Sequence, residues 1–259
     1  MKNLVIGNTS QLSHYFPIDY EKISSRNIDF QQYENNFYDR IYLTFAEQRT
    51  YIENDLELFT DTNVDYTKKI IDFFKDRCNK IVWFSTIELW NNHEGEITLD
   101  TPYNYNYTPY IKSKEMMSNY IKENYSNVII IYPVNFNSIH RKGNFLFSKI
   151  FDSLLNNTKI EIGDTNFERD ILHPKFIVIQ SIIINNHTLV GSGHLININE
   201  FIKGLYKNMG MNYNEYVKEN NNNNLSTKRK TFYTNSPIIN TEKIIIETIN
   251  EIKTNKISK

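Results

Sequence analysis

The chain holds one cysteine, Cys78, among 259 residues. A lone thiol excludes an intramolecular disulfide and a cysteine-built zinc site, so a reducing compartment is expected. An excess of one charge is also lacking: 29 basic residues face 30 acidic ones, interspersed, for a net charge of −1. With no basic stripe to neutralise a phosphate backbone, nucleic acid is not an expected partner. The N-terminal run Leu4-Val5-Ile6 is too short for a secretory leader. No stretch approaches the ~18 apolar residues of a spanning helix, so a soluble, cytoplasmic protein with no membrane partner is expected. His173 has no companions at metal-ligand spacing, and no metal is expected. No internal repeat is evident, and Asn220 to Asn224 form a homopolymer with nothing apolar to bury, which reads as a surface loop.

What is present is an alternation of short apolar runs and longer helical patterns, the pattern of a parallel sheet flanked by helices. The length suits one α/β core with a small appended lobe. Strands are predicted over Asn3 to Gly7, Glu21 to Ser25, Arg40 to Phe45, Lys80 to Ser85, Asn127 to Tyr132 and His187 to Val190. Helices are predicted over Ser10 to Phe16, Asp61 to Arg77, Pro109 to Asn124 and Phe145 to Leu155. Val64, Ile70, Ile71, Phe73 and Phe74 give the second of these an apolar face. The reading is an α/β fold, a parallel sheet flanked by helices, with a small C-terminal lobe. Residues 1–135 and 174–208 would form the core, and 136–173 and 209–259 the lobe.

Tyr110 stands four residues ahead of Lys114, which puts a phenol and an ammonium on one helix face. A phenol has a pKa near 10, and a fixed positive charge beside it lowers that value, so it can accept a proton from an alcohol as hydride leaves. The same spacing also arises by chance in a chain with eighteen tyrosines. The run Lys80 to Phe84 ends in Ser85 and Thr86 where a parallel strand would end, and ligands bind beyond such ends. If that strand persists, Thr86 and Glu88 point to one side and bring a hydroxyl and a carboxylate into one cleft; otherwise they are a strand-end cap and a solvated carboxylate.

The first strand runs into Gly7, Asn8, Thr9, Ser10, Gln11 and Leu12, where a glycine turn and a helix N-terminus would face a pyrophosphate. Ser10 and Ser13 occupy positions where a dinucleotide fingerprint has glycine. Arg26 follows the second strand where a basic residue accommodates a 2′-phosphate, favouring NADP over NAD as cofactor. Asp29 either accepts from an adenine amino group or caps a helix. Arg169 either holds a diphosphate bidentately or forms a structural ion pair, with Asp170 among the candidates.

In their order along the chain these segments resemble the extended short-chain dehydrogenase/reductases, the nucleotide-sugar epimerases and dehydratases. Thr62-Asn63-Val64-Asp65 resembles that family's Asn-Val segment, Tyr132-Pro133-Val134-Asn135 its Arg-Pro-x-Asn, Arg169-Asp170-Ile171-Leu172-His173 its Arg-Asp-Phe-x-His, and Val190-Gly191-Ser192-Gly193 its late Asn-x-Gly-x-Gly. Ser85-Thr86-Ile87-Glu88-Leu89-Trp90 is similar to the Ser-Thr-Ser-Glu-Leu-Tyr of GDP-mannose 4,6-dehydratases. Asn137 to Phe145 partly resembles their Asn-His-Glu-Ser-x-Arg-Arg-Gly-x-x-Phe.

The resemblance implies a Rossmann-type, NAD(P)-binding core with a substrate-binding lobe, and 4,6-dehydration of a nucleotide-activated sugar through a 4-keto intermediate, with epimerisation or keto reduction as the alternative chemistry and a silent binder of NAD(P) and sugar nucleotide as the non-enzymatic one. It implies Thr86, Glu88, Tyr110 and Lys114 as catalytic residues. Gly7, Thr9, Ser10, Gln11, Leu12, Arg26, Asp29, Asn63, Pro133, Tyr110 and Lys114 would hold the cofactor, and Thr86, Asn135, Arg141 and Arg169 the sugar nucleotide. It also implies a homodimer paired through the helices at Asp61 to Arg77 and Pro109 to Asn124, working in surface-polysaccharide synthesis. Pro174-Lys175 departs from the family, which carries an acidic pair after the histidine.

Overall fold

Six parallel strands run through the centre of the computed structural model, which describes residues 2–49, 55–220, 230–234 and 238–257. They are β1 (Lys2–Ile6), β2 (Glu21–Ile23), β3 (Tyr38–Leu43), β4 (Cys78–Phe84), β5 (Val128–Pro133) and β6 (Thr188–Val190). Their order is β2-β1-β3-β4-β5-β6, with Val5 opposite Tyr42, Tyr42 opposite Val82 and Val82 opposite Ile129. The central strands end in apolar runs because both faces of a parallel sheet are covered there, and Leu4, Ile81 and Ile130 are fully buried. The chain steps outward from β1 to β2 and then returns to β3 on the other flank of β1. That reversal opens a crevice at the carboxyl ends of β1 and β3.

The helices are α1 (Leu56–Thr60), α2 (Thr67–Phe74), α3 (Pro109–Asn124), α4 (Leu146–Asn156), α5 (Pro174–Ile183), α6 (Ile198–Asn208) and α7 (Thr241–Ile257). Helix α3 starts where the sequence dictates: the Thr108 hydroxyl accepts from the Ile111 amide at 3.2 Å, and Pro109 fills the first position, where no amide is needed. Ile111, Met117 and Ile121 form its buried stripe. No helix among the described residues is long and apolar enough to cross a membrane.

Two predicted helices take other forms. The one expected over Asp61 to Arg77 begins earlier, at Leu56, and is interrupted by a π-helical turn, Asp61–Tyr66, before α2. The turn widens where Asn63 is committed elsewhere. The Asn63 amide accepts from the Glu47 N–H at 2.8 Å and donates to the Glu47 carbonyl and to Ser113 Oγ, both at 3.0 Å. The helix expected over Ser10 to Phe16 is a single 3₁₀ turn, Leu12–Tyr15, tightened by the Ser13 hydroxyl, which bonds Asn8 O at 2.9 Å and Ser10 O at 2.7 Å.

Beyond residue 135 short strand pairs replace the alternation. Asn135–Phe136 pairs with Ile171–Leu172, Glu168–Arg169 with Ile196–Asn197, Ile160–Gly163 with Val217–Asn220, and Glu94–Glu96 with Lys230–Phe232. Phe147 on α4 packs edge-on against Phe201 on α6, and α7 packs on both helices. Asp170 knits these parts together from a buried position, accepting from the Ser192 N–H at 2.8 Å and the Tyr233 N–H at 3.4 Å. Apart from Asn220, the asparagine tract lies outside the described residues.

Candidate active site

A cleft of about 510 Å³ opens at the carboxyl ends of β1, β3, β4 and β5, and Thr86, Glu88, Tyr110 and Lys114 all line it. Of the two readings of Thr86 and Glu88, strand alternation and strand-end cap, the cap is the one seen. Strand β4 ends at Phe84, and Thr86 caps a 3₁₀ turn, Ile87–Trp90, its hydroxyl accepting from the Glu88 N–H at 3.2 Å. Alternation along a strand therefore does not align them; the cap does. Thr86 stands near enough to the Tyr110 phenol to act on its proton, and the Glu88 carboxylate accepts from Asn91 Nδ2 at 3.4 Å.

Lys114 is buried beneath the cleft, its ammonium donating to the Phe84 carbonyl at 2.9 Å and lying 4.6 Å from the Trp83 ring centre and 6.0 Å from that of Tyr110. Burial brings its pKa down to about 7. Burial also raises the Tyr110 phenol; the Thr86 hydrogen bond and the positive charge of Arg141 oppose that rise. Lys114 thus reaches past the Tyr110 ring, on the same helix, to the end of the neighbouring strand.

On the β1 side, Gly7 adopts φ +109°, and a Cβ there would stand 2.8 Å from Thr44 Oγ1 and 2.9 Å from the Phe45 nitrogen. Only glycine lets the turn pass so close to β3. Ser10, Gln11 and Leu12 line the cleft. Thr9, an expected contact, is exposed and is not among the lining residues. Gly7 itself acts through the turn's shape. Asn63 is likewise absent from the lining, because its amide is spent on Glu47 and Ser113.

An adjoining cleft of about 530 Å³ shares Phe45 and Ala46 with the first and is lined by Arg26, Asn27, Tyr66 and Lys69 among others. Asp29 is not among its lining residues. Of its two readings the cap is the one seen: the carboxylate accepts from the Gln31 N–H at 3.2 Å and from Gln32 Nε2 at 3.0 Å.

Pro133, Asn135, Arg141 and Arg169 line the opposite wall of the first cleft. Arg141 stacks 3.7 Å from the Phe145 ring centre and donates to Gln48 Oε1 at 3.3 Å. Arg169 lies 4.7 Å from the Phe167 ring centre, donates to the Glu168 carbonyl at 2.6 Å, and is lowered by burial to about 10. Aromatic faces thus hold both guanidiniums at the cleft. Sequence reasoning missed Thr44, Phe45, Gln48, Phe145 and Phe167, which also line it. Thr44 and Phe45 follow the apolar run of β3 directly, a signal that would have found them.

No protein-family model matches the sequence, and no curated protein matches it. Solved structures do. UDP-glucuronic acid 4-epimerase from Bacillus cereus, in complex with UDP-glucuronic acid and NAD, is 15% identical with a TM-score of 0.77 over 98% of this chain and 100% of that one. A dTDP-glucose 4,6-dehydratase from Streptomyces venezuelae with NAD bound is 16% identical with a TM-score of 0.78 over 99% and 98%. RMD from Pseudomonas aeruginosa, complexed with NADPH, is 12% identical with a TM-score of 0.77 over 98% and 100%. The chain has the Rossmann-type fold shared by these nucleotide-sugar epimerases and dehydratases and by the NADPH-complexed protein.

Proposed function

We propose that the chain is an NAD(P)-dependent enzyme acting on a nucleotide-activated sugar, most specifically by 4,6-dehydration. The observation that carries this reading is the convergence of Thr86, Glu88, Tyr110 and Lys114 on one cleft at the sheet's switch point. The residues fit a dinucleotide: the Gly7 turn leaves no room for a Cβ, and Ser10, Gln11 and Leu12 present the start of a helical turn to the cleft. Tyr110, Lys114 and Pro133 would border its nicotinamide end. Arg26 and Lys69 at the second cleft would take a 2′-phosphate, which favours NADP.

A bound nicotinamide would supply hydride chemistry, taking hydride from the sugar's C4 and returning it at C6. The Tyr110 side chain, as phenolate, would take the C4 hydroxyl proton while Thr86 holds that oxygen. Glu88 would then take the C5 proton, acidified by the C4 ketone, and pass it to the C6 hydroxyl, which leaves as water; as hydride returns at C6, the proton held by Tyr110 would go to C5. Asn135, Arg141 and Arg169 would grip the nucleotide diphosphate. A homodimer through the helical segment Asp61 to Arg77 and α3 belongs to the same proposal, and a monomer by light scattering would count against it.

An epimerase or keto reductase needs Thr86, Tyr110 and Lys114 but not Glu88. Mass spectrometry of small molecules released on denaturation tests the cofactor first. Turnover of a panel of sugar nucleotides by Glu88→Gln then sorts the chemistries: loss of C6 elimination with C4 oxidation retained supports dehydration, whereas unchanged product formation refutes it. A protein that binds neither NAD nor NADP would refute the enzyme reading.

A further inference from the structure

Behind the cleft, one carboxylate on the last helix ties together both of its walls. Glu251 of α7 is almost enclosed, its side chain 11% exposed. The Tyr15 phenol donates to Glu251 Oε1, the Ile139 N–H donates to Oε2 at 3.4 Å, and His173 Nε2 lies 3.3 Å from Oε2. The Lys175 N–H donates to His173 Nδ1 at 3.3 Å, which leaves Nε2 to donate to Glu251. His140 Nε2 stands 3.6 Å from Oε1, and the His140 ring stacks on His14 at 3.7 Å with 4° between the planes.

Each donor leads to a lining element. Tyr15 ends the 3₁₀ turn that begins with Leu12. Ile139 and His140 sit just before Arg141, in a turn held by Ser138: the Arg141 N–H donates to Ser138 O at 2.9 Å, and the Ser138 N–H donates to Gln11 Oε1 at 3.0 Å. His173 caps α5, which packs on the same 3₁₀ turn. Burial pushes the Glu251 carboxyl up, yet the hydrogen bonds from His173 and Tyr15 outweigh it and keep the group below the usual glutamate value, a charged acceptor for several donors.

We propose that Glu251 is a positioning residue for the site: its carboxylate clamps the phosphate-facing turn at Gln11 and Leu12 to the loop that carries Arg141, so the gap between them is set from the C-terminal helix. This rests on the cleft being a dinucleotide and nucleotide-sugar site, as proposed above. Nothing in the geometry requires Glu251 to touch a ligand.

The test is Glu251→Gln, which keeps the side chain's shape but cannot accept from every donor, studied by hydrogen exchange and by titration with NAD and NADP. Faster exchange in 9–16 and 136–145, with β1, β4 and β5 still protected, and a roughly tenfold or greater loss of dinucleotide affinity are expected. A residue that merely fills space would tolerate the isosteric glutamine, so wild-type exchange in both segments would overturn the proposal. Should Glu251→Gln fail to fold, Tyr15→Phe decides: it removes one donor and keeps the ring, and it must loosen the same two segments to a smaller degree. Failure of the wild type to bind either dinucleotide would refute the functional reading, while the exchange experiment would still decide the clamp.

Discussion

The Lys114 ammonium donates to the Phe84 carbonyl at 2.9 Å, joining the helix that carries Tyr110 to the last residue of the strand that leads to Thr86. A buried cation resting on a backbone oxygen fixes the distance between two elements that line the cleft. It also makes the site's assembly sensitive to proton concentration.

Unfolded, the Lys114 side chain holds its proton to its ordinary value of 10.5; folded, it gives the proton up near 7. Between those values the unfolded state binds more protons, so stability rises with pH across the window and the penalty is full below about 7. Lys114→Met removes the penalty but orphans the Phe84 carbonyl. The melting-temperature difference, variant minus wild type, is expected to be largest at pH 7 or below and to shrink as pH rises toward 10, read by calorimetry. A difference independent of pH would contradict the burial described here.

Tyr110→Phe keeps the ring that packs edge-on against Phe59. Turnover on a confirmed sugar nucleotide is expected to fall about 10²- to 10⁴-fold, the range for a lost acid–base group, with the dinucleotide dissociation constant little changed. Parallel single-turnover and binding measurements check both.

Acid should act through the stacked imidazoles. Burial, with His140, Lys22 and Lys142 assisting, lowers His14 to about 4, and burial lowers His140 as well. Unfolded histidines take up protons near 6.5 while the folded pair resists, so the unfolded state binds more protons and stability falls as pH drops from about 6.5 toward 4. Urea midpoints from pH 7.5 to 4.5 should show that slope, and His14→Asn should flatten it.

A Cβ at Gly191 would meet Asp170 Oδ2 at 2.6 Å and Val134 Cγ1 at 2.8 Å. Gly191→Ala is expected to destabilise the protein by about 1 to 3 kcal/mol, the usual cost of overpacking, measured by chemical denaturation.

Arg26→Ala should weaken NADP binding about tenfold or more and leave NAD binding nearly unchanged, because only the 2′-phosphate reaches for the second cleft's cations. Equal losses for both cofactors would place the guanidinium elsewhere on the dinucleotide.

Fold and site were unequally legible. The sheet strands were readable because most carry a short apolar run between polar turns, as in residues 4–6, 41–43, 81–84 and 128–132, and parallel strands buried on both faces must look that way. Helix α5 was not, since Phe176, Ile177, Val178 and Ile179 succeed one another without a 3.6-residue rhythm. Tyr110, Lys114, Thr86 and Glu88 could be named from spacing. The choice between Thr86 as a strand residue and as a cap could not, nor could the burial of Lys114, since both depend on tertiary packing. Asn63 was read as a cofactor contact, and its amide is spent on Glu47 and Ser113; Asp29 was read as an adenine contact or a cap, and the cap is the one seen. Glu251 had no signal at all, because its partners lie between 78 and 236 residues away in the chain.

The pairing of Lys230–Phe232 with Glu94–Glu96 carries a consequence for biosynthesis. The Thr231 hydroxyl donates to the Trp90 carbonyl at 2.8 Å and also bonds His93 O, so the loop just past Glu88 is closed by residues more than 130 positions later. Contacts so distant in sequence form late, after the entropy of the intervening chain has been lost. On the ribosome, β1 to β5 emerge and can assemble well before residue 231 is made, leaving the segment just past Glu88 without its final partner until then.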